Sequence, residues 1–288
     1  MTGSLSSAQL ALYRSQGYLA PIRVMAEAEA ARLLAKLEAV EAEEGGRLSN
    51  QSNQKPYLLF PFLAEVIRDA RILDVAESVL GPDILCWAGG FFAKNPGDGK
   101  IISWHQDSTY WGLSEPDVAS AWLALTPSTI ESGCMRVIPG THTRDQLPHR
   151  DTFAANNMLS RGQEVAVEVN EAEAHDIVLR PGEMSLHHVR LVHGSSTNNA
   201  PHRRVGFVIR YIPTHIRQVA GSADSATLVR GEDRYGNFEP EPRPAIDRDP
   251  ACVEFHREMQ ARTLAYLYAG AAQPGRDRQP AAQAAGTM

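Results

Sequence analysis

Ile101-Ile102-Ser103-Trp104-His105-Gln106-Asp107 is the stretch on which the reading of this chain turns. An apolar, strand-like run ends on a histidine and an aspartate separated by one residue. Along an extended strand, residues two apart point to the same face, so His105 and Asp107 can reach one ion while Gln106 points away. A second imidazole, His193, comes much later in Val192-His193-Gly194-Ser195, and a strand there would close the set. Two imidazoles and one carboxylate on one face of an octahedron leave adjacent positions open. That arrangement suits a redox-active Fe(II), which must take a chelating co-substrate and O2 together. The absence of thiolate argues against a closed structural zinc site and leaves catalytic zinc open.

A lone His-x-Asp is also what a solvated strand end looks like, so the residues after the distal histidine matter. Arg204 follows in Arg203-Arg204-Val205-Gly206-Phe207-Val208-Ile209-Arg210-Tyr211. A strand there would return one guanidinium toward the metal, and arginine matches a carboxylate with two parallel charge-assisted hydrogen bonds. Arg203 and Arg210 compete for that role. Alternation puts Arg204 and Arg210 on one face with Arg203 on the other, and distance from His193 favours Arg204.

With these residues in view, the chain resembles the phytanoyl-CoA dioxygenase family of Fe(II)/2-oxoglutarate oxygenases. The matching pieces are Trp104-His105-Gln106-Asp107, Ser132-Gly133-Cys134-Met135-Arg136-Val137-Ile138-Pro139-Gly140-Thr141-His142, and His193-Gly194-Ser195 with Arg204 beyond. They run in order within a resemblance from about Ala8 to Pro213. The resemblance implies that His105, Asp107 and His193 ligate iron, that Arg204 and Ser195 hold 2-oxoglutarate, and that Trp122 lies against it. It also implies that 2-oxoglutarate and O2 become succinate and CO2. Halogenating members replace the carboxylate ligand with a small residue; Asp107 is present here, so hydroxylation or a related oxidation of a small-molecule metabolite is expected.

Patterning agrees on fold class. Ser6–Glu44 reads as two helices around an extended link at Tyr18–Ile22, Gly45–Lys55 as a loop, and Phe62–Leu80 as a helix ended by Gly81-Pro82. From Ile84 the pattern changes to short strands: Ile84–Lys94, Lys100–Asp107, Val118–Thr126, Met135–Pro139, the alternating Val165, Val167 and Val169, Asp176–Leu179, Met184–His188 and Arg204–Tyr211. The expected architecture is mainly β: a double-stranded β-helix (jelly roll, cupin-like) with N-terminal helices packed on one sheet. A single domain is expected over residues 1–269, with helices over about 6–80, a β core over about 84–213 and an extension with a lid segment over 220–269. The Ala-, Gln-, Gly- and Pro-biased residues 270–288 are expected to be a disordered tail. Thr143–Gly162 and Ala220–Pro244 are poor in strand signal and are expected to be substrate lids.

The chain has 288 residues, 43% of them hydrophobic and 22% charged, as is ordinary for a globular protein. A net charge of −6 gives no electrostatic reason to expect nucleic acid or an anionic membrane as partner. Cys86, Cys134 and Cys252 show no paired spacing and read as reduced thiols. No secretory signal pattern and no run approaching ~18 apolar residues is present, so a cytoplasmic location is expected. Tyr110, Trp111, Lys94 and Arg136 are candidates for substrate contact, weighed against edge packing for the aromatics and solvated strand faces for the cations. His187 and His188 lack the Gly-Ser continuation and are expected to pack or hydrogen-bond near the site. Two other readings remain: a cupin-type dioxygenase or metal-dependent hydrolase using the same ligands without a 2-oxo acid, and a catalytically silent small-molecule binding protein.

Overall fold

The computed structural model describes residues 4–221, 223–269 and 271–272; the tail expected over 270–288 lies, but for two residues, outside them. The chain begins with α1 (Ser7–Gln16), β1 (Tyr18–Arg23) and α2 (Glu27–Glu43), followed by α3 (Pro61–Val66) and α4 (Ala70–Leu80). The strands are then β2 (Ile84–Lys94), β3 (Ile102–His105), β4 (Ala119–Ala124), β5 (Met135–Val137), β6 (His149–Asp151), β7 (Gln163–Val165) and β8 (His175–Ile177). They continue as β9 (Glu183–His188), β10 (His193–Ser195), β11 (Arg204–Pro213), β12 (Ser225–Arg230) and β13 (Glu239–Pro240), before a final helix, α5 (Pro250–Leu267).

The strands form a large sheet in the order β1-β9-β4-β11-β2-β12-β13 and a smaller one in the order β3-β10-β5-β8, with β6 and β7 paired apart. This is the expected jelly roll. The outer face of the large sheet carries Ala119, Ala121, Leu123, Phe207, Ile209 and Tyr211, which join Ala30, Leu37, Val40, Ile67 and Ile72 of the helical layer in one core. Between the sheets, Trp122, Ala124 and Val208 meet Met135, Val137, Ile177 and Leu191. β4 and β11 thus obey the period of two, apolar on one face for the helices and mixed on the other for the interior, while β2 shifts register between Cys86 and Ala88. Among the described residues, no helix is long and apolar enough to cross a membrane.

Several boundaries differ from the expectation for local reasons. The expected Phe62–Leu80 helix is two helices, because Asp69 is extended and its carboxylate accepts from Arg71 N, capping α4 afresh. The Val165-Val167-Val169 alternation ends at Val165; Val167 faces solvent, so periodicity there had no partner strand. Ala220–Pro244 is not a lid. Its residues Ser225–Arg230 form β12 against β2, with Thr227 opposite Cys86.

The inner face of β11 contains a close approach that only glycine allows. A Cβ on Gly206 would lie 2.0 Å from Cζ2 of Trp122. Gly206→Ala is therefore expected to lower stability by ~1–3 kcal/mol through overpacking and to displace the Trp122 ring. Denaturant unfolding with tryptophan emission measures both, and wild-type values for both would show that the ring is not seated against this strand.

Candidate functional site

β3 and β10 are antiparallel neighbours in which His105 stands opposite His193, so one ladder brings the two imidazoles together with ring centroids 4.2 Å apart. Asp107 joins them by a route the alternation argument only partly foresaw. The strand ends at His105, and Asp107 opens a 3-10 turn, Asp107–Tyr110. Gln106 between them stays extended at φ −111° and ψ 135°, which carries the alternation one residue past the ladder. Its side chain points away, as expected. It is fully buried, donating to Arg190 O at 2.7 Å and accepting from Leu147 N at 2.8 Å. Gln106 is thus a support that the motif alone did not show to be one.

The donor set fits a metal. Ligand atoms of His105, Asp107 and His193 all lie within 4.8 Å of one another, and all three residues are buried. The His105 Nδ1 faces Ser103 O at 2.9 Å and the His193 Nδ1 faces Leu191 O at 2.9 Å. A carbonyl only accepts, so each Nδ1 carries a proton, and each Nε2 is the atom turned toward the centre, where it would ligate an ion. Burial, then the neighbouring His105, pushes His193 down to about 3, which keeps that ring neutral. Burial works against ionisation of Asp107, yet the hydrogen bond with His105 and the charge of Arg210 hold its carboxyl well below the usual range. Two imidazoles and one carboxylate are what Fe(II) or a similar ion takes.

A narrow inner cavity joins this triad to Ser195, Trp122 and Arg204. Arg204 is 1% exposed, and its Nε and one terminal nitrogen are buried with no hydrogen-bond partner. Its guanidinium sits 5.3 Å from the Trp122 ring centroid. A guanidinium stripped of water and left without an acceptor is costly, so the cradle awaits an anion. Arg203, on the opposite face, is paired with Glu41 of α2 at 2.6 Å. Arg210 shares the inner face with Arg204, and His187 lies beside His193 with ring centroids 5.1 Å apart. The inward positions of β9 would have revealed His187 had its register been known.

Beyond the inner cavity lies a larger one of about 360 Å³. Trp87, Trp111, Phe92, Met158 and Arg210 line it, and α5 closes it with His256, Met259 and Leu267. The segment around Met158 therefore sits over the site as expected, while α5 takes the place expected for Ala220–Pro244. Of the four candidates for substrate contact, Trp111 faces this cavity. The other three are turned elsewhere. The Tyr110 hydroxyl donates to Asp151 at 2.6 Å beneath the Arg161 guanidinium. The Lys94 ammonium is spent on Ser195 Oγ at 2.6 Å, Ser195 O at 3.2 Å and Ser196 O. Arg136 points out of the small sheet between Met135 and Val137, to Glu171 at 2.8 Å and the Trp104 ring.

Comparisons with known proteins bear on the family and the fold. Residues 13–206 match the family described as phytanoyl-CoA dioxygenase (PhyH). A probable alpha-ketoglutarate-dependent hypophosphite dioxygenase of Stutzerimonas stutzeri is 27% identical over 65% of this chain and 62% of its own length. The peroxisomal phytanoyl-CoA dioxygenase of Homo sapiens is 32% identical over 44% of this chain and 39% of its own. The chain thus spans less than two thirds of either of these curated relatives. Among solved structures, the apo form of the non-heme monooxygenase ThoJ superposes with a TM-score of 0.81 at 33% identity, over 91% of this chain and 98% of that one.

Lys94 gives a test of how this pocket is charged. Burial, with Arg204 adding repulsion, pushes its ammonium from 10.5 down to about 7. Between those values the unfolded chain binds the extra proton, so this residue's penalty is full below pH 7 and fades as pH rises toward 10.5. Urea unfolding of the metal-free protein should show the stability difference between wild type and Lys94→Met shifting in favour of wild type from pH 7 to 10. A difference independent of pH would mean that Lys94 titrates normally.

Proposed function

Since this chain belongs to the phytanoyl-CoA dioxygenase family, we propose that it is an Fe(II)- and 2-oxoglutarate-dependent oxygenase that hydroxylates an unactivated C–H bond of a small-molecule metabolite. The observation that carries this reading is the conjunction, in one cavity, of a His-Asp-His donor set with a buried guanidinium that lacks an acceptor. A cupin dioxygenase or hydrolase without a 2-oxo acid gives no reason for that guanidinium.

His105, Asp107 and His193 would hold the iron, and Arg204 would take the distal carboxylate of 2-oxoglutarate. Iron held there with the 2-oxo acid would supply the activation of O2 that the oxidation needs, 2-oxoglutarate being converted to succinate and CO2. The protein's own part is positional. The carbonyls of Ser103 and Leu191 fix the two imidazole tautomers. Lys94, donating to Ser195, fixes the hydroxyl that borders the co-substrate pocket. Trp122 covers one side of Arg204 and keeps water from it. The substrate would enter the larger cavity, where Trp87, Trp111 and α5 exclude solvent and hold one C–H bond against the inner cavity. Loose positioning there should show as 2-oxoglutarate consumed without matching product.

Two substitutions test the reading. His105→Ala should abolish Fe(II)-dependent succinate formation while the circular dichroism and unfolding midpoint stay close to wild type; retained turnover would refute the ligand set. Arg204→Ala should raise the 2-oxoglutarate requirement by about a hundredfold or more, within the ~2–5 kcal/mol that truncating one partner of a buried charge pair costs. An unchanged requirement would remove Arg204 from co-substrate binding.

A further inference from the structure

Arg210 stands on the inner face of β11, opposite Ala88 on one side and Ser120 on the other, where it borders both the inner cavity and the larger one. Its charge helps to keep Asp107 ionised, yet it forms no ion pair with that carboxylate or with any other described one. Lys55 is met by Glu241 at 2.7 Å, Arg161 by Asp151 at 2.8 Å and Arg203 by Glu41 at 2.6 Å. Arg204 has its proposed co-substrate. The Nε of Arg210 is buried with no hydrogen-bond partner, and no carboxylate of the described residues lies within ion-pairing distance of its guanidinium. What it touches is the Trp111 ring, 4.8 Å from the centroid, and Trp111 in turn leans on Trp87 at 5.1 Å.

Among the residues lining the larger cavity, Asp107 is the sole carboxylate, and the proposed iron claims it. Counting charges under the oxygenase reading, iron is neutralised by Asp107 and the proximal carboxylate of the 2-oxo acid, and the distal carboxylate neutralises Arg204. Lys94, its charge weakened by burial, is held by Ser195 and Ser196, and the remaining positive charge is on Arg210, at the neck between the two cavities. A forked, planar donor held against an aromatic face and left without an acceptor is preorganised for a carboxylate.

We infer that Arg210 is the anchor for a carboxylate of the substrate, whose apolar or aromatic body lies along Trp87 and Trp111 in the larger cavity. The substrate class is then a small carboxylic acid bound acid-end inward, and its oxidised carbon lies near the carboxylate instead of at the far end. The inference rests on the oxygenase reading for the charge count. Its test reads binding with redox-inert Zn(II) in place of iron, so a failure of iron-dependent turnover leaves the result of this test intact.

The experiment titrates the full chain, saturated with redox-inert Zn(II) and 2-oxoglutarate so that Asp107 and Arg204 are both answered, with phenylacetate and indole-3-acetate, each against its primary amide, following binding by calorimetry. Each acid is expected to bind about tenfold or more tighter than its amide, as a desolvated charge pair requires. Arg210→Met should bring acid and amide to within about twofold of each other while leaving amide affinity unchanged, and Arg204→Met should leave the acid preference in place. Arg210→Lys, which keeps the charge and loses the fork, should weaken the acids severalfold without changing the amides, and serves if the Met variant does not fold. Equal binding of acid and amide to wild type, or no binding of the acids, would overturn the inference. So would an acid preference that survives Arg210→Met, unchanged acid affinity in Arg210→Lys, or a preference lost in Arg204→Met, which would assign these acids to the co-substrate pocket.

Discussion

Cations placed inside a β sandwich must be answered by anions, and the period of two along β11 places two of them there. Arg204, Gly206, Val208 and Arg210 face the interior, while Val205, Phe207, Ile209 and Tyr211 anchor the strand in the helical layer. The aliphatic half of the strand supplies the burial that holds the polar half in a place it would not choose alone. Shifting the register by one residue would exchange the two faces. Arg203 and Tyr211 would then point inward, and the helices would meet guanidinium groups. The core therefore fixes the site's charges as well as its shape.

The neighbouring elements extend the same logic. Gly206 has no side chain because Trp122 needs the space, and Trp122 is held there over Arg204. Lys94 stands opposite Arg204 on β2 and would repel it, but burial weakens its charge and Ser195 and Ser196 take its hydrogen bonds. On the metal side, Tyr110 leads from the turn that begins at Asp107 to Asp151, Asp151 accepts from Arg161, and Arg161 donates to Leu267 O at the end of α5. A continuous polar chain thus ties the carboxylate turn to the helix that closes the larger cavity.

Much of this was legible in the residues. The triad, the inner face of β11, and the opposite orientations of Arg203 and Arg204 followed from strand alternation and a few motifs. What the sequence hid was tertiary. Asp69 caps a second helix in the middle of an unbroken apolar period. The Ser225–Arg230 stretch has modest strand character and becomes β12 because β2 offers an open edge. Arg136 and Lys94 look alike as strand cations, yet one faces solvent beside Glu171 and the other lies under Ser195, a difference set by which sheet face each meets. A lid was expected within 220–269, but that α5 would form it was out of reach because its lining residues, His256, Met259 and Leu267, form no pattern except against the loop they cover.

The position of α5 at the end of the described chain bears on how the protein is made. Every side chain of the triad and of the arginine-lined inner cavity has been synthesised once the ribosome passes Pro213, whereas His256, Met259 and Leu267 emerge later. Translation therefore supplies every residue of the proposed oxidising centre before those of the wall that confines it. A nascent chain that bound iron at that stage would hold a reactive metal open to water and to its own tryptophans, so order of emergence makes metal loading safest as the last event of maturation.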